Sequence, residues 1–173
     1  MPKPTPTLTF RPAHASDHAA VVEMTRDIWG GDDYLADVWH EWVATPNSHL
    51  AVGLLDGRLV VSGRLVSLAE GEWWLEGMRV HPAFQGRGLS SQLHFHLVEL
   101  ATQQPGMRTL GLATSWRNPA IAHLARRSGM VLQGDYRMLK LVGPGQRQPE
   151  VTDDQPRPAL LHSIAKSTWG ALG

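Results

Sequence analysis

The chain predicts an α/β fold, with a mixed, mostly antiparallel sheet of six to seven strands and helices on both faces. Three observations lead there. Residues 48–80 hold three apolar segments separated by Asp56-Gly57 and Glu70-Gly71, the pattern of an antiparallel meander. Residues 72–114 run strand, glycine turn, amphipathic helix, strand, which is a crossover between parallel neighbours. Two segments before the meander repeat apolar residues at helical spacing. One domain of this kind accounts for most of the 173 residues.

The elements follow in chain order. Residues 1–7 are rich in Pro and Thr and are expected to be disordered. A domain then runs over 8–142. Leu8–Arg11 forms a short strand. Ser16 caps a first helix carrying Val21, Met24 and Ile28, with Val22 and Trp29 beside them, until Gly30-Gly31 stops it. A second helix begins near Asp32 or Asp33, and Leu35, Val38, Trp39, Trp42 and Val43 make its apolar face. Residues 48–55 and 58–68 are strands joined by Asp56-Gly57, a two-residue hairpin turn in which both positions tolerate positive φ. Residues 72–80 form a third strand, closed by His81-Pro82. The helix after the glycine turn turns Leu89, Leu93, Leu97, Leu100 and Ala101 to one side, and Thr109–Thr114 returns as a strand. Asn118-Pro119 starts another helix, with Asn as N-cap and Pro at the first position, and Gly129 follows its end. Residues 130–132 and 136–142 give one or two last strands. Residues 143–158, rich in Pro, Gln, Asp and Gly, read as a linker. Residues 159–173 form a short helix or tail, which docks on the body, pairs with a second copy in a homodimer, or stays loose.

Bulk properties narrow the partners. Lys+Arg and Asp+Glu are both 16, so no global field favours nucleic acid or an anionic membrane, and neither is expected. There is no cysteine, which removes disulfides, thiolate metal sites and a cysteinyl acyl-enzyme. Of nine histidines, His94 and His96 are two apart on a helix and face different ways. Surface or satisfied histidines are the expected account of all nine, so no metal is expected. The N-terminal residues lack the apolar core of a signal peptide, and no apolar run approaches the ~20 residues of a membrane helix. The expected location is the cytoplasm.

Chemistry concentrates in residues 76–91. Gln85-Gly86-Arg87-Gly88-Leu89-Ser90 puts small residues where the backbone must bend at a helix start. Successive N–H groups of such a turn converge on an anion, helped by the helix dipole. A P-loop would end in Gly-Lys-Ser/Thr, and a dinucleotide fingerprint would have an acid on the next strand; neither is present. On the strand before the turn, the two-residue period puts Trp74, Glu76, Met78 and Val80 on one face. Glu76 is then a carboxylate among large apolar neighbours, suited to a general base; the alternative is a structural carboxylate paired with Arg64 or Arg79.

These residues resemble the GNAT family of N-acetyltransferases over about residues 8–142. The family pattern Gln/Arg-x-x-Gly-x-Gly/Ala matches Gln85–Ser90, with Ser90 in the last place. The resemblance implies that the amides of Gln85, Gly86, Arg87, Gly88, Leu89 and Ser90 hold the pyrophosphate of acetyl-CoA. It implies that the backbone of Met78, Arg79 and Val80 pairs with the pantetheine arm, and that Glu76 is the general base. Asn118 also matches, on the cofactor side. Ala125 stands where the family often has a Tyr acid, leaving Tyr136, Ser128 or water for that role. Segments 28–35, 39–42 and 75–82 resemble, more narrowly, histidine N-acetyltransferases.

The resemblance also implies that the first two helices wall the acceptor site. Asp32, Asp33 and Tyr34 lie between them and serve either to hold a cationic amine or, for one of the acids, to cap the second helix. Arg64 and Arg79 serve either as forks for a substrate carboxylate or as partners in ion pairs. The resulting expectation is an acetyl-CoA-dependent N-acetyltransferase for the primary amine of a small molecule, a free amino acid such as histidine. The alternatives are a non-catalytic acyl-CoA-binding module and an acetyltransferase for peptide or protein amines.

Overall fold

The computed structural model describes residues 5–115, 117–136 and 159–165, with the backbone alone at 135–136 and 159–165. Its elements are β1 (Thr9–Pro12), α1 (His18–Thr25), α2 (Leu35–Ala44), β2 (Ser48–Leu55), β3 (Arg58–Ala69), β4 (Glu72–Val80), α3 (Leu89–Thr102), β5 (Thr109–Thr114), α4 (Pro119–Arg127), β6 (Val131–Tyr136) and β7 (Ala159–Ala165). They build one seven-stranded sheet in the order β1-β2-β3-β4-β5-β7-β6. Every pairing is antiparallel except β4 with β5. The predicted meander and crossover are therefore both present.

Each face of the sheet carries helices and its own core. Leu93, Leu97, Val98 and Ala101 of α3 join Leu65, Leu75, Leu110 and Leu112 of the strands in one cluster. Val21 and Met24 of α1 and Leu35, Trp39 and Trp42 of α2 join Leu50, Val52 and Leu59 in the other. Local signals set the turns as read. Asp56 and Gly57 take φ of 51° and 79°. Asn118 Oδ1 accepts the Ile121 N–H at 3.3 Å, with Pro119 at the first position of α4.

Four expectations need correction. Residues 159–165 are not helical: β7 lies between β5 and β6, so this segment belongs to the sheet and is no separate tail. Its apolar residues suit either period, and its strand partners lie far away in sequence. Residues 5–7 are not loose, because Gln92 accepts the Leu8 N–H at 3.0 Å and donates to the Pro6 carbonyl at 2.8 Å. The helix α1 stops at Thr25, and Trp29, Gly30 and Gly31 all take positive φ (52°, 72° and 96°). The turn they make ends the helical pattern before Ile28 and Trp29. Finally, β6 is one strand over 131–136; the linker 143–158 and residues 137–142 lie outside the described residues.

The alternation of β4 also breaks. Ser62 pairs with Arg79 but Arg64 with Glu76, so Gly77 and Met78 together oppose Gly63. This is a β-bulge, and Gly77 has the φ of 63° that such a bulge favours. A β-carbon there would fall on the Trp42 ring. The bulge reverses the faces expected from sequence. Met78 and Val80 pack on the α3 side, whereas Glu76 meets Arg64, which lies over Trp42 on the α2 side.

Candidate active site

The glycine turn links β4 to α3. After Val80, Pro82–Phe84 make a single 3-10 turn whose Ala83 N–H donates to His81 Nδ1 at 3.1 Å. Gln85 Nε2 donates back to the Val80 carbonyl at 3.3 Å. Gly86 and Gly88 then take φ of 73° and 74°. Gly88 is the N-cap of the fourteen-residue α3 and offers no side chain to its first N–H groups. Those groups, including Leu89, Ser90 and Ser91, have no intrahelical acceptor and the helix dipole behind them, which makes an anion cradle. A β-carbon on Gly86 would meet nothing within 4 Å, so the turn is open there. The Arg87 guanidinium stacks over Phe84 at 5.0 Å and donates to the Ala83 carbonyl at 3.1 Å.

Beside the turn the sheet opens. β4 and β5 pair from Glu72–Thr109 to Leu75–Leu112 and no further, while β3 stays paired with β4 as far as Val80. From Glu76 onward the β5-facing edge of β4 has left its neighbour. The bulge at Gly77 supplies the extra twist that separates them. Met78, Arg79 and Val80 line this opening with backbone. The Met78 carbonyl accepts Arg79 Nη1 at 3.1 Å and the Val80 carbonyl accepts Gln85.

Glu76 stands at the mouth of the opening. Its side chain is 31% exposed, and Oε1 accepts Arg64 Nη1 at 2.8 Å. Arg64 is itself buried, donates its Nε to Ser48 Oγ at 2.7 Å, and lies 4.6 Å from the Trp42 ring centre. The expected apolar surroundings of Glu76 are thus replaced by a guanidinium fixed from two sides. Of the two arginines weighed from sequence, Arg64 holds Glu76. Arg79 forms a fork with Asp33 at 2.6 and 3.1 Å.

On the acceptor side the three neighbouring residues separate in role. Asp33 is buried, accepts the Leu35 N–H at 2.9 Å and carries the Arg79 fork, so it starts α2 and anchors β4 rather than facing a ligand. Asp32 is exposed in the turn. Tyr34 is 44% exposed, and its ring and that of Trp29, 6.5 Å apart, both stand against the Arg79 guanidinium, at 5.3 and 4.4 Å. Trp29 is 62% exposed with a left-handed backbone, a conformation that costs a residue with a β-carbon about 1–2 kcal/mol. Sequence reading placed Trp29 on a helix and missed this; the following Gly-Gly pair is the only signal of it.

The residues weighed from sequence as proton donors lie on or beside α4 and β6. Ala125, in the place of the family Tyr, is fully buried. Asn118 Oδ1 caps α4. Tyr136 is carried on β6, and its side chain lies outside the described residues. Ser128 is buried and donates to the Ala125 carbonyl at 2.9 Å, while its oxygen lies 2.9 Å from His94 Nε2. His94, read from sequence as a surface or satisfied histidine, is completely buried with Nδ1 unpartnered, and burial lowers its pKa to about 4. Among the described residues no group of three or more His, Asp or Glu is placed to hold a metal ion, and no helix is long and apolar enough to cross a membrane.

A parallel strand pair that opens over a bulge, next to a glycine turn and a helix start, defines a class of protein. Residues 18–130 match the model of the acetyltransferase (GNAT) family, and the chain belongs to that family. It is similar to a histidine N-acetyltransferase of Oreochromis niloticus, 30% identical over 94 residues that make up 54% of this chain and 28% of that protein. A probable N-acetyltransferase 16 of Homo sapiens is 28% identical over 107 residues, 61% of this chain and 29% of the relative. The chain thus spans under a third of the length of these curated relatives. Among solved structures, the spermidine N-acetyltransferase of Vibrio cholerae in complex with CoA and spermine shares the fold. Its TM-score is 0.70 at 14% identity, over 94% of this chain and 97% of that one.

Proposed function

We propose that this chain is an acetyl-CoA-dependent N-acetyltransferase for the primary amine of a small molecule, a free amino acid such as histidine. One observation carries the reading: a single segment, 76–91, joins a partly exposed carboxylate, a strand edge unpaired with β5 and a glycine turn at a helix N-terminus. Relatives named histidine N-acetyltransferase support the choice of acceptor class.

In this reading the amides from Gly86 to Ser91 bind the pyrophosphate, since the Gln85 N–H, expected to join them, donates to the Pro82 carbonyl at 3.3 Å, and the β4 edge at Met78–Val80 guides the pantetheine arm into the opening. The amine enters as an ammonium from the α2 side. Glu76, directly or through a water, takes one proton from it. The nitrogen lone pair attacks the thioester carbonyl, and main-chain N–H groups near Met78–Val80 stabilise the oxyanion. The carbon–sulfur bond then breaks, the nitrogen loses its second proton to solvent as the amide forms, and the thiolate takes a proton from solvent and leaves as coenzyme A. Arg64, buried against Trp42 and tied to Ser48, fixes the Glu76 carboxylate by one oxygen.

The test is release of free thiol from acetyl-CoA over a panel of amino acids, polyamines, aminoglycosides and peptides. Glu76→Gln lowers kcat by about 10²–10⁴-fold for the best acceptor and leaves acetyl-CoA affinity unchanged. Full activity of that variant removes Glu76 from the mechanism. The buried Ala125 favours a second reading, a non-catalytic acyl-CoA-binding module, because it carries no proton to give. Acetyl-CoA binding without thiol release for any acceptor establishes that second reading.

A further inference from the structure

Trp29 occupies an unfavourable place for an indole. Its backbone is left-handed, it is 62% exposed, and the next two residues are glycines with positive φ that carry the chain around the turn. Yet the ring is firmly backed. The Arg79 guanidinium lies 4.4 Å from its centre on one face, and Arg79 is itself immobilised by the Asp33 fork and the Met78 carbonyl. Tyr34 stands beside the same guanidinium, its ring centre 5.3 Å from it and 6.5 Å from that of Trp29. The indole is therefore braced from behind and open in front.

The braced ring is also connected to the proposed chemistry. Tyr34 meets Trp42 edge-on, with ring centres 6.1 Å apart, and Trp42 carries the guanidinium of Arg64, which holds Glu76. Three rings, Trp29, Tyr34 and Trp42, thus lead to the guanidinium that holds the carboxylate proposed to accept the proton of the amine. We infer that Trp29 is a specificity-determining residue whose open ring face stacks against the side chain of the acceptor while the amine lies at Glu76. This rests on the acetyl-transfer reading above. The cation behind the ring already draws on its electron density, so the outer face favours a neutral aromatic heterocycle, an imidazole or an indole, over a second cation. An aliphatic side chain of similar length gains little there because it has no flat face to lay on the ring.

The experiment is steady-state thiol release at saturating acetyl-CoA with histidine, tryptophan, leucine and lysine. It compares the unaltered chain with Trp29→Ala and Trp29→Phe. Trp29→Ala raises KM for histidine and tryptophan about 5- to 10-fold and leaves leucine and lysine within about twofold. Trp29→Phe retains most of the preference, and acetyl-CoA affinity stays the same in all three, which shows that the turn has not collapsed. Equal changes for all four acceptors, or none, overturn the inference while the enzyme reading stands. Turnover by the unaltered chain that is confined to acceptors without a ring also overturns it. Binding of acetyl-CoA with no turnover of any amine overturns the acetyl-transfer reading, and this inference with it.

Discussion

Acid should weaken this protein through a single buried imidazole. Ser128 has one hydroxyl hydrogen, and it is directed to the Ala125 carbonyl. The 2.9 Å contact with His94 Nε2 therefore requires the histidine to donate, which fixes the neutral tautomer with Nδ1 bare. A second proton on Nδ1 would place a charge and an unpartnered donor in a fully buried site. Burial accordingly lowers the pKa to about 4 from an ordinary 6.5. Between those values the unfolded chain binds a proton that the folded chain does not, so stability falls as pH drops below about 6.5 and the loss is complete below about 4. At 1.36 kcal/mol per unit, the difference is about 2.5 kcal/mol between pH 7 and pH 4.5. Urea melts across that range, on the unaltered chain and on His94→Gln, measure it. Glutamine keeps a donor for Ser128 but does not titrate, so the variant lacks this part of the acid sensitivity while every other titrating group is shared. Parallel pH dependences of the two proteins refute the assignment. Because His94 sits on α3, whose first turn forms the anion cradle, acid also loosens the seat of that cradle against α4.

Two further substitutions probe how the site is held. Gly77→Ala adds a β-carbon where Trp42 stands and at a positive φ; it lowers unfolding free energy by about 2–3 kcal/mol and reduces turnover by displacing Glu76, as paired denaturation and thiol-release measurements check. Asp33→Asn leaves the buried Arg79 guanidinium without its counter-charge and costs about 3–5 kcal/mol by chemical denaturation, with the loss greater than for the exposed pair partner in Glu23→Gln.

Much of this architecture could be read from the chain because its signals are local. Asp56-Gly57 permits one kind of turn, Asn118-Pro119 starts one kind of helix, and a glycine turn between a strand and an amphipathic helix implies a crossover. Glu76 and the 85–90 turn are parts of one such segment. What escaped depends on contacts distant in sequence or on a break of period. Gly77 looks like an ordinary strand residue until β3 is laid beside it, and the bulge then sends Met78 and Glu76 to opposite faces. Arg64 and Arg79 were equivalent candidates until the strands and the α1–α2 link were folded together, which gave one to Glu76 and the other to Asp33. The strand β7 is separated from both of its partners by a long intervening segment, and its apolar residues do not distinguish strand from helix. The exposed ring of Trp29 follows from a left-handed turn that no helical pattern anticipates.

The whole account depends on the 86–91 amides being a diphosphate cradle, and calorimetric titration of acetyl-CoA tests that directly. The unaltered chain should bind one equivalent. Gly88→Val, which forces a β-branched residue to a φ of 74° at the helix N-cap, should weaken binding at least about tenfold. Equal affinity of the two proteins, or no heat of binding from either, contradicts the account.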